Sequence, residues 1–148
     1  MIQKIKGKKY LINGGLGMIG STIATILVKA GAEVTIVDAM IKPFGANLFN
    51  VEKIKDQVKI RIFDIKNIKD MKKEVENKDV ILNLAGQIAH NDSIINPLYD
   101  AKMNYLYQLN IMECIKQVNP EAKVIFSGSR LQFGKIEDIP VDENHISY

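Results

Sequence analysis

The sequence predicts an α/β protein built on a doubly wound parallel sheet. Three observations lead there. Short runs dense in Val, Ile and Leu alternate with segments of helical periodicity, which is the pattern of βαβ units. Those runs are dense in Val, Ile and Leu, which suits strands covered on both faces. A glycine-rich stretch, "NGGLGMIGS" (Asn13 to Ser21), stands where the first strand hands over to the first helix. Right-handed crossovers then leave essentially one family of topologies, with the expected strand order 3-2-1-4-5.

The elements follow in chain order. "KKYLIN" (Lys8 to Asn13) reads as the first strand. "MIGSTIATILVKA" reads as a helix that Gly31 stops at its C′ position. "EVTIVD" (Glu33 to Asp38) is the second strand and "KIRIFD" (Lys59 to Asp64) the third. A charged helix is expected over Ile68 to Asn77. "DVILNLA" (Asp79 to Ala85) is the fourth strand. Asn96-Pro97 looks like an N-cap followed by proline at the first helical position. The long helix it opens runs to about Gln117, where Asn119-Pro120 closes it. "KVIFSGS" (Lys123 to Ser129) is the fifth strand.

Composition bounds the function. The chain has 148 residues, 47% of them apolar and 25% charged, as in an ordinary soluble domain. Its net charge of +3 comes from scattered lysines rather than a basic stripe with interleaved aromatics, which argues against nucleic acid as a partner. The single cysteine, Cys114, lies in an apolar helical pattern and reads as a small buried hydrophobe. No apolar run approaches the roughly 18 residues of a membrane span, and no signal-peptide core opens the chain. A cytoplasmic location with no membrane partner is therefore expected. His90 and His145 are the only histidines and have no metal-ligand spacing, so no metal is expected. His90 reads as a surface-loop residue.

The glycines carry the chemistry. "GLGMIG" is Gly15-x-Gly17-x-x-Gly20, and the stretch also reads Gly14-x-x-Gly17-x-x-Gly20. The early glycines permit the tight turn, Gly17 opens the backbone to a pyrophosphate, and Gly20 lets the helix pack close to the sheet. Free N–H groups and a partial positive charge at the helix N-terminus favour phosphate. The second strand ends in Asp38, about 20 residues on, where a carboxylate accepts from an adenosine ribose. Ala39 and Met40 follow, with no arginine to receive a 2′-phosphate, which favours NAD over NADP. The fold is therefore Rossmann-like. A glycine turn in a nucleotide-free α/β protein is the competing explanation. Further candidates fall at strand ends, where such sheets bind ligands. Asp64 and Ile65 are placed to border an adenine, although Asp64 also suits a helix N-cap. "LAGQ" (Leu84 to Gln87) is either a close cofactor contact or a plain turn. "SGS" (Ser127 to Ser129) orients a substrate or merely caps locally.

Together these residues resemble the extended short-chain dehydrogenase/reductase family, and within it the NAD-dependent nucleotide-sugar epimerases and dehydratases. The resemblance rests on "NGGLGMIGS", Asp38, "FDI", "LAGQIAHNDSIINP", Asn104 and "FSGSRLQFGK". "ANLFN" (Ala46 to Asn50) is similar to the epimerase branch, sugar 2-epimerases included. The resemblance implies that Gly14, Gly17, Met18 and Ile19 line the pyrophosphate, with Gly20 in the same cofactor-binding set. It implies that Asp38 holds the adenosine ribose, Asp64 and Ile65 border the adenine, and Leu84, Ala85 and Gln87 flank the cofactor. It places Ser129 at the catalytic serine position and Asn104 at a structural helix position near the cofactor, a solvent-facing polar residue being the equal alternative for Asn104.

The implied chemistry is transient hydride transfer on the sugar of a nucleotide-sugar substrate. A tyrosine phenolate removes the hydroxyl proton, a lysine keeps that phenolate accessible, and Ser129 shares the hydrogen bond. The family's pair belongs to a Tyr-x-x-x-Lys, and no lysine follows Tyr148 here. Tyr148 is thus a candidate catalytic tyrosine or a loop residue, the loop being preferred. The expectation is that residues 1–148 are the NAD-binding domain, without a C-terminal substrate domain and inactive alone. In the family the long helix joins a dimer-forming bundle, so homodimerisation is expected. Tyr105, Leu109 and Met112 then lie on that face or pack in the core. Two other readings stay open: a non-catalytic NAD-binding or sensing module, and a reductase with net cofactor turnover.

Overall fold

The computed structural model describes residues 4–133, 135, 136 and 139–145. Five parallel strands form one sheet: β1 (Lys9–Asn13), β2 (Glu33–Asp38), β3 (Val58–Ile62), β4 (Val80–Asn83) and β5 (Lys123–Phe126). Their order is β3-β2-β1-β4-β5, as the sequence predicts. Asn13 of β1 stands in register with Val37 of β2 and Asn83 of β4. The glycine loop therefore leaves the centre of the sheet. β3, β4 and β5 stop short of their expected ends, because each loses its partner where the chain turns into a loop. Ser127 N–H makes the last contact of that ladder, 3.3 Å from the Asn83 carbonyl.

Alternation along the strands divides the core. Tyr10 and Ile12 of β1 face one cluster with Val34, Ile36 and Leu82. Helix α1 (Met18–Lys29) covers it through Ala24 and Leu27. Leu11, Val37 and Ile81 face the other cluster, covered by α2 (Ile68–Val75) and by α5 (Tyr107–Val118) through Met71, Val75, Ile111 and Ile115. Each fully buried Leu or Ile contributes about 1.5–3 kcal/mol. Gly31 stops α1 as predicted: it sits at φ +81°, while Ala32 N–H reaches back to Leu27 O at 3.0 Å. Cys114 is buried.

Three features depart from the expectations. A 3₁₀ helix, Leu48–Gln57, fills the stretch before β3, capped by Asn47 and buried through Val51 and Ile54. Of its four apolar residues only Val51 and Ile54, three apart, are buried, while Leu48 and Phe49 are exposed, so no clear periodicity marks it. The single long helix is instead α4 (Pro97–Ala101), a π-helical turn (Lys102–Leu106) and α5 in succession, preceded by the short α3 (His90–Ile95). Asn96 does cap α4, accepting from Tyr99 N–H at 3.2 Å. β5 is exposed, with Phe126 at 54%, so the sheet is not covered on both faces there. It is an edge strand, paired only with β4 among the described residues. Tyr105 and Leu109 are also exposed, which rules out core packing for both, while Met112 packs against the second cluster.

Candidate cofactor-binding site

The loop from β1 to α1 has its shape imposed from three sides. Gly14 adopts φ +74°, the left-handed region that favours glycine, and a Cβ there would lie 2.9 Å from Ala85 N. A Cβ at Gly20 would run into the Gly14 carbonyl, so helix and turn touch backbone to backbone. Leu16 is the anchor. Its side chain is fully buried. Its N–H donates to Asp38 Oδ2 at 3.0 Å, and its carbonyl accepts from Asn50 Nδ2 at 2.8 Å and from Asn47 N–H at 3.1 Å. The "ANLFN" segment is thus a brace for the glycine loop.

Gly17 is different. It is the N-cap of α1, at φ −73° and ψ 173°, a conformation open to any residue. A Cβ there would meet only Gly14 O, at 3.4 Å, an ordinary contact. Among the described residues nothing requires glycine at this position; what its absent side chain preserves is open space. Beside it α1 begins with no side-chain cap and no acidic residue in its first turn. The N–H groups of Met18, Ile19 and Gly20 have no intrahelical acceptor. The Met18 and Ile19 side chains point outward, 78% and 62% exposed. The residues present therefore fit a diphosphate: bare amides, the positive end of a helix dipole, and a gap where a Cβ would stand.

Asp38 ends β2 beside this gap and is buried. Besides the bond from Leu16, its Oδ1 accepts from Met40 N–H at 2.9 Å. Each carboxylate oxygen keeps a second acceptor site for a hydroxyl. Asp64 and Ile65 lie just beyond β3. Ile65 is buried in the second cluster. Asp64 is not the N-cap of α2; that residue is Asn67, whose side chain accepts from Asp70 N–H. Asp64 instead turns its own loop, accepting from Lys66 N–H at 3.0 Å and pairing with Lys66 Nζ at 3.1 Å. The hydrogen bond and charge of Asp64 raise the Lys66 pKa. Burial, then the Asp64 charge, raises that of Tyr99.

A cleft of about 650 Å³ opens between the ends of β4 and β5. Leu84, Ala85 and Gln87 line one wall and Ser127 and Ser129 the other, with Asn104 and His90 at its margin. Gln87 is buried, and Asn104 grips its backbone at both ends. Gln87 N–H donates to Asn104 Oδ1 at 2.8 Å, and Asn104 Nδ2 donates to Gln87 O at 2.9 Å. Asn104 is therefore a structural tie although it is exposed, its amide also donating to Asp100 Oδ1 at 3.0 Å. His90 opens α3 instead of lying in a loop. Tyr148 lies outside the described residues. The sequence reading missed Asn13, Asn83 and Gln108, which form a buried amide chain beneath this cleft. The available signal was that "LIN" and "ILN" end two strands alike.

Residues 11–148 match the profile of the GDP-mannose 4,6 dehydratase family. The chain belongs to that family. Its relatives are nucleotide-sugar epimerases and dehydratases of the extended short-chain dehydrogenase/reductase type. One is a putative UDP-glucose 4-epimerase of Methanocaldococcus jannaschii, 31% identical over 137 residues, which are 91% of this chain and 43% of the relative. Another is the CDP-paratose 2-epimerase of Salmonella typhi, 27% identical over 95% of this chain and 42% of the relative. Among solved structures, an epimerase from Methanothermobacter thermautotrophicus aligns over 99% of this chain and 43% of its own, with TM-score 0.86 and 28% identity. A UDP-glucose 4-epimerase from Bifidobacterium longum, in complex with NAD+ and UDP, aligns over 95% and 43%, with TM-score 0.83 and 25% identity. The chain thus spans well under half the length of these family members. The family's Rossmann fold is the one observed here. No helix among the described residues is long and apolar enough to cross a membrane.

Proposed function

We propose that this chain is the NAD-binding part of a nucleotide-sugar epimerase or dehydratase. The observation that carries the reading is Gly17, a glycine with no internal need to be one, beside an uncapped helix start. The Met18, Ile19 and Gly20 amides would hold the diphosphate, and Asp38 the adenosine ribose through its free acceptor sites. Asp64 and Ile65 would border the adenine, while Leu84, Ala85 and Gln87 would carry the far half of the dinucleotide across β4. NAD bound there would supply a hydride acceptor that returns its hydride. Ser129, across the cleft, would orient a sugar hydroxyl through its own hydroxyl group. Tyr148 keeps its candidacy as proton acceptor from its place in the sequence alone.

The preference for NAD over NADP rests on Asp38 and on Ala39 and Met40 after it, none of which welcomes a 2′-phosphate. Calorimetric titration with both dinucleotides tests it. NAD should bind and NADP should bind at least tenfold more weakly, on the order of one lost charge-assisted contact. Equal affinities would remove the ribose assignment. The exposed apolar side chains of β5, with Tyr105 and Leu109, support self-association as the likewise proposed oligomeric behaviour.

A further inference from the structure

Three buried amides lie beneath the site; Asn13 and Asn83 are set back from the cleft, while Gln108 also borders it. Asn13 ends β1, Asn83 holds the register position beside it on β4, and Gln108 reaches in from α5. Their bonds run one way. Asn13 Nδ2 donates to Asn83 Oδ1 at 3.4 Å, and Asn83 Nδ2 donates to Gln108 Oε1 at 2.6 Å. Gln108 Nε2 donates to the carbonyls of Ala85, at 3.0 Å, and Met103, at 2.7 Å. Asn13 Oδ1 is buried and receives no bond from any described residue. Leu11, Ile81 and Ile111 surround the same face of the sheet. Burying amides among such residues costs free energy, and an incompletely satisfied chain costs more. An apolar trio would serve packing better.

What the chain of amides does supply is orientation. Asn13 leads directly into the glycine loop, and Asn83 into the Leu84–Gln87 loop. Gln108 holds the Ala85 carbonyl toward α5. In a trans peptide the C=O and the next N–H point opposite ways, so Gly86 N–H is turned away from α5. Without that hold, glycine at position 86 leaves this peptide more freedom than a residue with a Cβ would. We infer that Gln108, acting through Asn83 and Asn13, is a positioning residue that fixes the Ala85–Gly86 peptide relative to the glycine loop, so that a ligand spanning both loops depends on it. The inference rests on the dinucleotide reading above. The π-helical turn belongs to the same device. The Met103 carbonyl accepts from Gln108, and Tyr107 N–H reaches back to Lys102 O.

The test compares two nucleotides on one chain. ADP reaches Asp38 and the glycine loop; NAD continues across β4. Gln108→Met keeps the volume and removes the amide. Gln108→Glu keeps an acceptor for Asn83 and loses both donations. Calorimetry on variants whose melting curves remain cooperative should show NAD weakened about tenfold and ADP within about twofold of wild type. The Gly86 amide resonance should shift in the ligand-free variants. Equal loss of both nucleotides, or of neither, with an unmoved Gly86 resonance, would make Gln108 a packing residue and overturn the inference. A wild-type chain that binds neither nucleotide would overturn the dinucleotide reading itself.

Discussion

Gly17 and Gly20 stand three residues apart in one motif, yet the structure needs them for opposite reasons. At Gly20 there is no room for a Cβ, because the Gly14 carbonyl occupies it. At Gly17 there is room, and the backbone angles are ordinary. Gly20→Ala should therefore destabilise the fold by about 1–3 kcal/mol through overpacking. Gly17→Val should leave the urea midpoint nearly unchanged while NAD binding falls below detection. A Gly17→Val protein that unfolds early, or one that still binds NAD, would contradict this division. Asp38 combines both roles. Its carboxylate receives the Leu16 and Met40 amides, so Asp38→Ala should cost about 1–3 kcal/mol of stability. It should also erase the preference for NAD over NADP. Chemical denaturation and calorimetry on the same variant separate the two effects.

Among the elements, α2 shows how local chemistry sets a boundary. Asn67 accepts from Asp70 N–H, and its own amide donates to Asp70 Oδ2 at 2.6 Å, closing the first turn from both sides. Asn67→Ala should lower stability by about 1 kcal/mol in urea titration. The hydrogen bond from Lys73, with its charge and the Asn67 amide, holds the Asp70 carboxyl below its ordinary pKa. A depressed carboxylate stabilises the fold fully above the unfolded-state pKa. That contribution is lost as the pH falls through the lower folded-state value. Asp70→Asn should therefore lower stability slightly at neutral pH, leave it unchanged below the folded-state value, and so flatten the acid limb between the two. An unchanged acid limb would mean that the pair contributes nothing to folding. The interrupted helix from Pro97 to Val118 has a different origin. Its apolar spacing reads as continuous, while inside the fold Tyr107 N–H reaches back to Lys102 O and the Gln108 side chain takes the Met103 carbonyl. Gln108 is held there by Asn83 and the Ala85 carbonyl as well, and these long-range partners leave no local mark in the sequence.

Across the whole molecule, the parallel sheet and its order were legible because strands rich in Val, Ile and Leu alternate with helical segments. The glycine loop and Asp38 were legible because a strand, a turn and a helix must meet there. The anchoring of Leu16 was not, since Asp38, Asn47 and Asn50 converge on it only after folding. Nor was the exposure of β5, whose composition is that of a covered strand. That edge has consequences for solution behaviour. Ile125 and Phe126 are both more than half exposed, and Ile88, Ile94 and Leu98 add further apolar surface. Sedimentation velocity should show species larger than the 16.6 kDa chain, reduced by Phe126→Ser. A strictly monomeric wild type at high concentration would refute the role given to this face. The central claim concerns the middle of the sheet, where the amides that open α1 are proposed to hold a diphosphate. The most direct measurement is an NAD titration followed by the amide resonances of Met18, Ile19 and Gly20. The account predicts large, saturable shifts at these three and at Asp38, absent in Gly17→Val. Resonances that stay in place at saturating NAD, or that move only elsewhere on the sheet, would contradict it.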